Sequence, residues 1–555
     1  MISIEIMPGG QVVEVKGGTT IAQMVEDHPG LCDCEAPLAA VAYNRLVGLD
    51  CRLLSSTKVT LVGLESREGI AVYRRTASLM LFAAVKELFP EARVVVGQSL
   101  ADGYYFEVIG EKVTSLFVAD VEDRMRRFAE EREPIVKDTM PVEEARRHFG
   151  AERAFDKVAL LRARRDAHVS VVGLKRFRDL QHGPVTTDAS PVQHFRLVPY
   201  PPGMVLRFDA RDSDGRISEI FPQQTKLFQT YRETRAWNEI IGVHNVGRLN
   251  QSIIDGNVRE IIRISDALHE KKIAAIADAV VARRPDVRLV LISGPSSSGK
   301  TTFSKRLFLQ LRAAGLRPVT LSLDNWYVNR VATPRDPVTG DYDFECLEAL
   351  DLERFNDDLR RLLDGEEVAT PIYDFKIGER KPEAEWPRMK LADDQVLVAE
   401  GIHGLNDKLT ASVHQRNKYK IYVSALTQLC LDDHNRIFTS DTRLIRRIVR
   451  DARYRGYDAE TTLLRWPSVR DGERRYIFPF QESADVMFNS ALVYEVAVLK
   501  VFAERFLLAV PPTSEAYPEA YRLLKFLEYF VPIFRDDVPQ ISILREFIGG
   551  SAFAY

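Results

Sequence analysis

The pattern of apolar and polar positions changes character along the chain. At the start it has the two-residue period of strands. Ile2, Ile4 and Ile6 alternate with polar positions, as do Val13 and Val15, and each run predicts a half-buried strand. Pro8-Gly9-Gly10 between them is a hairpin turn. Thr19 or Thr20 is placed to cap a short helix through Ile21, Met24 and Val25. Val59, Leu61 and Val62 supply a closing strand before Gly63. From about 66 to 240 the pattern is mixed: a helix over 76–88 stopped by Pro90, a turn and strand from Gly97 through 102–106, a charged amphipathic helix over 121–131, and a loop over 199–203. Residues 246–284 carry helical spacing, with Leu249, Ile253, Ile254, Ile261, Ile262, Ile264 and Leu268, up to Arg283-Arg284-Pro285. Beyond 288, short runs of apolar residues (288–293, 318–323, 395–399) alternate with amphipathic helices. Unbroken apolar runs suit strands covered on both faces. Helical segments, one of them over 520–529, close the chain.

At 555 residues the chain exceeds a single core, and three or four domains are expected. Its 76 basic and 79 acidic residues leave a net charge of −3, which argues against broad, non-specific coating of nucleic acid. Five cysteines make no disulfide framework in so long a chain, and Cys32-Asp33-Cys34 is too tight for a zinc pair. Free thiols in a reducing cytosol are expected. The N-terminus lacks a basic stretch followed by an apolar one, and no apolar run approaches the ~20 residues that span a bilayer, so a cytoplasmic location with no membrane partner is expected.

The most informative stretch is GPSSSGKT, Gly294 to Thr301, which fits G-x-x-x-x-G-K-[ST]. It follows the apolar run 288–293 and opens a helix with Phe303, Leu307, Phe308 and Leu311 on one side and Gly315 as its stop. Glycines there let the backbone curl around phosphate oxygens with its N–H groups inward, and the helix N-terminus adds positive potential. Gly294, Pro295, Ser296, Ser297, Ser298, Gly299, Lys300, Thr301 and Thr302 are therefore the expected nucleotide contacts. Lys300 would reach the β/γ-phosphates and Thr301 would hold Mg²⁺.

Phosphoryl transfer also needs a group to orient or deprotonate the acceptor hydroxyl. Asp324 closes the run 318–323, on a strand expected beside the P-loop strand, and can serve as general base; a turn or helix-cap aspartate is the alternative. Glu400 closes 395–399 and suits a Mg²⁺ site, reached through water; a structural acid is the alternative. The stretch 441–456, DTRLIRRIVRDARYRG, puts Arg443, Arg446, Arg447, Arg450, Arg453 and Arg455 on a helix whose apolar face is Leu444, Ile445, Ile448 and Val449. A few of these arginines suit a lid closing on ATP. A solvated or RNA-binding face is the alternative.

Taken together, GPSSSGKTT, Leu323-Asp324-Asn325-Trp326-Tyr327, Asp341-Tyr342-Asp343-Phe344-Glu345, Pro371-Ile372-Tyr373-Asp374-Phe375, Glu400-Gly401-Ile402-His403 and the arginine helix resemble the uridine kinase family, within the phosphoribulokinase/uridine kinase group, in that family's order. The resemblance implies that Asp324 is the base, that Glu345 binds a ribose diol and that Tyr373 contacts the nucleobase. It implies that Arg447, Arg450 and Arg455 serve the nucleotide and lid, with Arg455 on the substrate side. The family's ribose acid is typically aspartate. Its base-reading histidine falls on Gly378, beside Lys376 and Arg380, and Tyr457 replaces an arginine after the lid glycine. These departures concern the acceptor rather than ATP.

The front half resembles threonyl-tRNA synthetase: 1–64 its TGS domain, and about 66–240 its editing domain, through 74–90, 97–106 and 181–185. The editing domain's H-x-x-x-H pair falls on Arg75 and Leu79, and its second Cys/His pair on Gln181 and Val185. Leu79 and Val185 carry no donor atom, so hydrolysis is expected to be lost; His182 and His194 remain nearby.

The expected organisation is a TGS-like domain (1–64), a degenerate editing-like domain (65–245), a helical connector (246–285), a P-loop kinase domain (286–500) and a C-terminal helical segment (501–555). The expected fold class is α/β: a P-loop NTPase parallel sheet with flanking helices, preceded by a β-grasp-like domain and an α+β domain. The expected activity is transfer of phosphate from ATP, with Mg²⁺, to the hydroxyl of a small molecule, foremost a uridine- or cytidine-like nucleoside giving its 5′-monophosphate. An RNA- or ribosome-associated NTP-binding regulator, with RNA as partner of the TGS-like unit, is one alternative. A phosphosugar or pantothenate-like acceptor is the other.

Overall fold

The computed structural model describes every residue except 32, 33, 35, 209–216, 218–220, 337–339, 341, 375, 376 and 555. The first unit is a five-stranded sheet in which Ile2–Met7 lies between Gln11–Val15, antiparallel, and Thr57–Val62, parallel; Ala39–Ala42 and Arg45–Gly48 complete it. The alternation sends Ile4, Ile6, Val13 and Val15 inward over the helix Ile21–Asp27. Thr20 is the cap of that helix, in a reciprocal capping box with Gln23. Ala39–Ala42 and Arg45–Gly48 are too short and small to have been read from periodicity. Cys34 is disulfide-bonded, which corrects the expectation of free thiols at that position; Cys51, Cys346 and Cys430 are free, and Cys32 lies outside the described residues.

The second unit is an α+β body of two antiparallel sheets. One orders Arg196–Tyr200, Gly203–Arg207, Gly103–Ile109 and Arg93–Leu100; the other orders Phe177–Leu180, His168–Leu174 and Ile135–Pro141. The helix expected over 76–88 runs from Arg67 to Leu88, because Ser66 caps it on Gly69. The loop expected over 199–203 is a tight hairpin turn between two of these strands.

Beyond it lies a five-stranded parallel sheet made of β1 (Leu289–Ser293), β2 (Arg317–Ser322), β3 (Gln395–Glu400), β4 (Lys418–Ser424) and β5 (Val486–Asn489), in the order β2-β3-β1-β4-β5. Asp324 was expected on a strand beside β1. Instead β3 lies between, pairing Ile292 with Glu400 on one side and Leu321 with Ala399 on the other. The residues decide this. Val396 to Ala399 are all buried, as a central strand requires, whereas β2 exposes Arg317 and Thr320 and suits the edge.

Helices α1 (Val258–Ala282), α2 (Lys300–Ala313), α3 (Thr439–Arg450), α4 (Ala459–Tyr476), α5 (Glu495–Leu508), α6 (Tyr517–Leu527) and the single turn α7 (Arg545–Ile548) flank this sheet. One continuous core joins them: Ile262, Val290, Phe303, Ile445, Leu499, Leu523 and Phe547 are all fully buried in it. Among the described residues no helix is long and apolar enough to cross a membrane.

A loop of the parallel domain, 425–438, is lodged in the second unit. Cys430 sits among that unit's core side chains. The Val96 N–H donates to the Asp433 carbonyl at 2.7 Å, and the His434 ring stacks on Phe82 at 4.0 Å. Buried Lys157 bridges Asp179 (2.7 Å) and Asp432 (3.1 Å), and His182 joins Asp432 to the Tyr529 hydroxyl. Burial works against the Asp432 carboxylate, but Lys157 and His182 more than offset it and its pKa falls.

Candidate active site

The loop after β1 is shaped by its glycines. A Cβ on Gly294 would lie 1.9 Å from the Val423 carbonyl oxygen, so only glycine lets β1 and β4 stay paired there. Gly299 has φ +83° and, with no side-chain cap, opens α2. The Lys300 ammonium donates to the Gly294 and Pro295 carbonyls at 2.8 and 3.1 Å. Burial lowers its pKa, and Glu400 and Asp324 pull the other way. The Thr301 hydroxyl donates to Glu400 Oε1 at 3.2 Å. The Ser296 N–H donates to Glu473 Oε1 at 3.1 Å. The Thr302 N–H and hydroxyl donate to Glu546 Oε2 at 3.1 and 2.7 Å. Ser297 and Ser298 are buried, and the Ser298 carbonyl accepts from the Ser490 hydroxyl.

The arginine helix braces this loop from beneath. Arg443 and Arg446 are inaccessible to solvent, at 1% and 0% exposure. Arg443 donates to the Ser296 carbonyl at 2.9 Å and pairs with Glu473. Arg446 pairs with Glu495 and donates to the Ser490 and Ser297 carbonyls. These two belong neither to a lid nor to a solvated face, and their position among Leu444, Ile445, Ile448 and Val449 is the signal: an arginine inside an apolar face is buried and needs a carboxylate. Of the arginines expected at the nucleotide, Arg447 donates to the Ser296 hydroxyl at 2.9 Å and pairs with Asp451. Arg450 is held by Asp451 at 2.9 Å. Arg455 stands 3.7 Å from Asp451 with a half-exposed side chain, and burial of its inner part, with Arg450 beside it, brings its pKa down to about 10.

Three acids stand near the loop, two of them, Asp324 and Glu400, at the carboxyl ends of β2 and β3 and the third, Glu345, in the connection before Leu347–Ala349. Asp324 sits in a turn, Leu323–Trp326, that follows β2. Burial raises its pKa against the pull of Lys300 and Arg455. Glu400, at the end of β3, is pushed up to about 7 by burial, with Lys300 opposing. Glu345 is likewise pushed up to about 7 by burial and then by Glu473. A Cβ on Gly472 would fall 2.4 Å from that of Glu345, so a glycine in α4 admits this side chain.

Tyr373 packs against Tyr327, with ring centres 5.6 Å apart, and its N–H donates to Asn325. Arg380 is committed to the Trp326 and Tyr327 carbonyls, both at 2.8 Å, and to Asp351 at 2.9 Å; its guanidinium braces the turn after Asp324 and is not open to an anionic acceptor. Asp341, Phe375 and Lys376 lie outside the described residues.

Among the described residues no group of three or more His, Cys, Asp or Glu could hold a metal. The pairing of the Thr301 hydroxyl with Glu400 fits Mg²⁺ better than such a cage would, because that ion keeps several waters and takes further oxygens from phosphates. In the second unit, Arg75 donates to the Pro184 carbonyl and its guanidinium fills the space beside Gly183. Leu79 and Val185 are buried apolar residues and Gln181 bonds the Gly183 carbonyl. Leu79 and Val185 offer no donor atom, and among the described residues no metal-holding group forms there.

Residues 289–497 match the model of the Phosphoribulokinase / Uridine kinase family, and this part of the chain is a domain of that family. The N-terminal region is homologous to threonyl-tRNA synthetase. It is 34% identical over 196 residues to the threonine–tRNA ligase of Symbiobacterium thermophilum, covering 35% of this chain and 30% of that protein. It is 31% identical over 209 residues to that of Methylococcus capsulatus, covering 37% and 32%. The chain thus spans about a third of the length of these curated relatives. Among solved structures, a possible uridine kinase from Bacillus stearothermophilus is 18% identical with a TM-score of 0.27, covering 40% of this chain and 98% of that one. A D-glycerate 3-kinase from Cryptococcus neoformans is 16% identical with a TM-score of 0.26, covering 38% and 89%.

Proposed function

We propose that this chain, with its domain of the phosphoribulokinase/uridine kinase family, transfers the terminal phosphoryl group of ATP to the hydroxyl of a small molecule, foremost a nucleoside, giving the 5′-monophosphate. The observation that carries the reading is the convergence of Lys300, Asp324 and Glu400, from three consecutive strand ends, beside the Gly294–Thr301 loop. Lys300 acts on both acids, Asp324 acts on Glu400, and Glu400 is bonded to the Thr301 hydroxyl, so they share one crevice, at the strand ends where ligands bind in open α/β sheets.

In this reading Lys300 leaves the carbonyls of its own loop for the β/γ-phosphates, and the loop's amides cradle the phosphate chain. Asp324, ionised, accepts the acceptor's hydroxyl proton. Glu345 and Tyr373 orient the acceptor, Arg455 approaches from the lid side, and Arg447 and Arg450 cover the phosphates. Bound Mg²⁺, held through Thr301 and Glu400, supplies neutralisation of charge on the phosphate oxygens. The full chain incubated with ATP, Mg²⁺ and a panel of nucleosides, phosphosugars and pantothenate-like alcohols tests it. A phosphorylated nucleoside is expected. Transfer only to another member of the panel would discard the nucleoside assignment, and transfer to none would discard the kinase reading.

A further inference from the structure

Two carboxylates already occupy donors that a phosphate chain would need in this loop. Glu473 takes the Ser296 N–H, and Glu546 takes the Thr302 N–H and hydroxyl. They differ in what else holds them. Glu473 is fully buried and paired with inaccessible Arg443, so it belongs to the brace under the loop. Glu546 comes from α7 at the far end of the chain and is only half-buried; among the described residues its hydrogen bonds run to Thr302.

The backbone that carries Glu546 is firmly seated. Ile543, Leu544, Phe547 and Ile548 are fully buried. Arg545 donates to the Arg535 and Gly549 carbonyls at 3.0 and 3.1 Å. Ile543 lies so close to Gly299 that a Cβ there would stand 2.5 Å from its methyl group. Lifting this segment would undo the burial of four apolar side chains. Rotating one partly exposed carboxylate undoes two hydrogen bonds, so the side chain is the movable part. Thr302 lies in the first turn of α2, where N–H groups without an intrahelical acceptor and the helix dipole favour an anion. A carboxylate and a phosphate oxygen are both negative and use the same donors, so one excludes the other.

We propose that Glu546 is a built-in competitor of the nucleotide: its carboxylate stands in for a phosphate on Thr302 and must swing away before a polyphosphate ester can settle in the loop. The proposal rests on the kinase reading above. Binding to a protein whose competent form is a minor fraction is weakened by that fraction, so removing the competitor tightens it.

The test measures the affinity of the full chain for ATP, tripolyphosphate and adenosine by calorimetry, in wild type, Glu546→Gln and Glu546→Ala, with Lys300→Ala as control. ATP and tripolyphosphate are expected to bind about tenfold tighter to Glu546→Ala and severalfold tighter to Glu546→Gln, with adenosine unchanged. Unchanged or weaker ATP binding in both variants overturns the proposal, as does an equal gain for adenosine, which would mean a loosened pocket instead of a vacated anion site. The isosteric Gln variant keeps the test valid if the Ala variant unfolds. If ATP binds wild type and Lys300→Ala alike, the kinase reading itself falls. If binding depends on Lys300 and neither Glu546 variant binds more tightly, only the competitor falls.

Discussion

Replacing Glu400 by glutamine should stabilise the empty protein at alkaline pH while removing its activity. Burial pushes the Glu400 pKa from 4.5 to about 7. The fold therefore prefers the neutral carboxyl, and glutamine is a permanent copy of it. At ~1.4 kcal/mol per pH unit, folding with this side chain ionised costs about 3 kcal/mol relative to the unfolded chain, and nearly all of that cost is felt at pH 8. That is a ceiling, because part of the side chain faces solvent; a gain of about 1–3 kcal/mol is expected. The sign sets the pH window. With its folded pKa raised, Glu400 leaves stability intact below about pH 4.5, and that contribution is lost as pH rises through about 7. Wild type and variant should therefore unfold alike at about pH 4, and the variant should lead by several degrees at pH 8. Scanning fluorimetry in EDTA at the two pH values reads this directly, and phosphotransfer at pH 8 should collapse in the same variant. Equal unfolding temperatures at pH 8, or an equal gain at both pH values, would refute the argument that burial sets this side chain's charge.

The remaining predictions concern other groups. Asp324→Asn should lower kcat by ~10²–10⁴-fold, the range for losing a general base, while the affinity for ATP measured by calorimetry stays the same. Arg443→Ala strands Glu473 in the interior and should destabilise by about 3–5 kcal/mol in urea unfolding, whereas Arg443→Met with Glu473→Leu recovers most of the loss. Lys157→Ala leaves Asp179 and Asp432 facing each other without their shared cation. It should destabilise by about 3–5 kcal/mol, and hydrogen exchange should rise in both the second unit and the 425–438 loop; a change confined to one side would show that the two are not coupled there.

The run from β1 through the loop to α2 was legible because every signal is local: an unbroken apolar strand, glycines at the bends, and a helix with one apolar side. β3 was legible for the same reason. The order of the strands was not, since the apolar runs of β2 and β3 look alike until the exposed Arg317 and Thr320 mark β2 as the edge. β4 was missed because Lys418 and Lys420 interrupt its pattern. Both are buried, and their ammonium groups are satisfied by Asp407 and by loop carbonyls, partners that no period reveals. The site divides along the same line. Lys300, Thr301, Asp324 and Glu400 follow recognisable local patterns and the structure brings them together. Glu473 and Glu546 do not, lying 177 and 244 residues from the loop amides they bind. Arg443 and Arg446 differ: their apolar neighbours gave the signal of burial, but a helix of six arginines reads first as a lid or a solvated face and conceals the brace.

The 425–438 loop ties the front half of the chain to the start of α3. Cys430 is clamped among the side chains of the second unit, and a few positions later the same strand of polypeptide becomes α3, whose first two inward arginines grip the backbone of Ser296 and Ser297. A displacement of the synthetase-like body would therefore be handed, through Cys430 and α3, to the backbone of the Gly294–Thr301 loop.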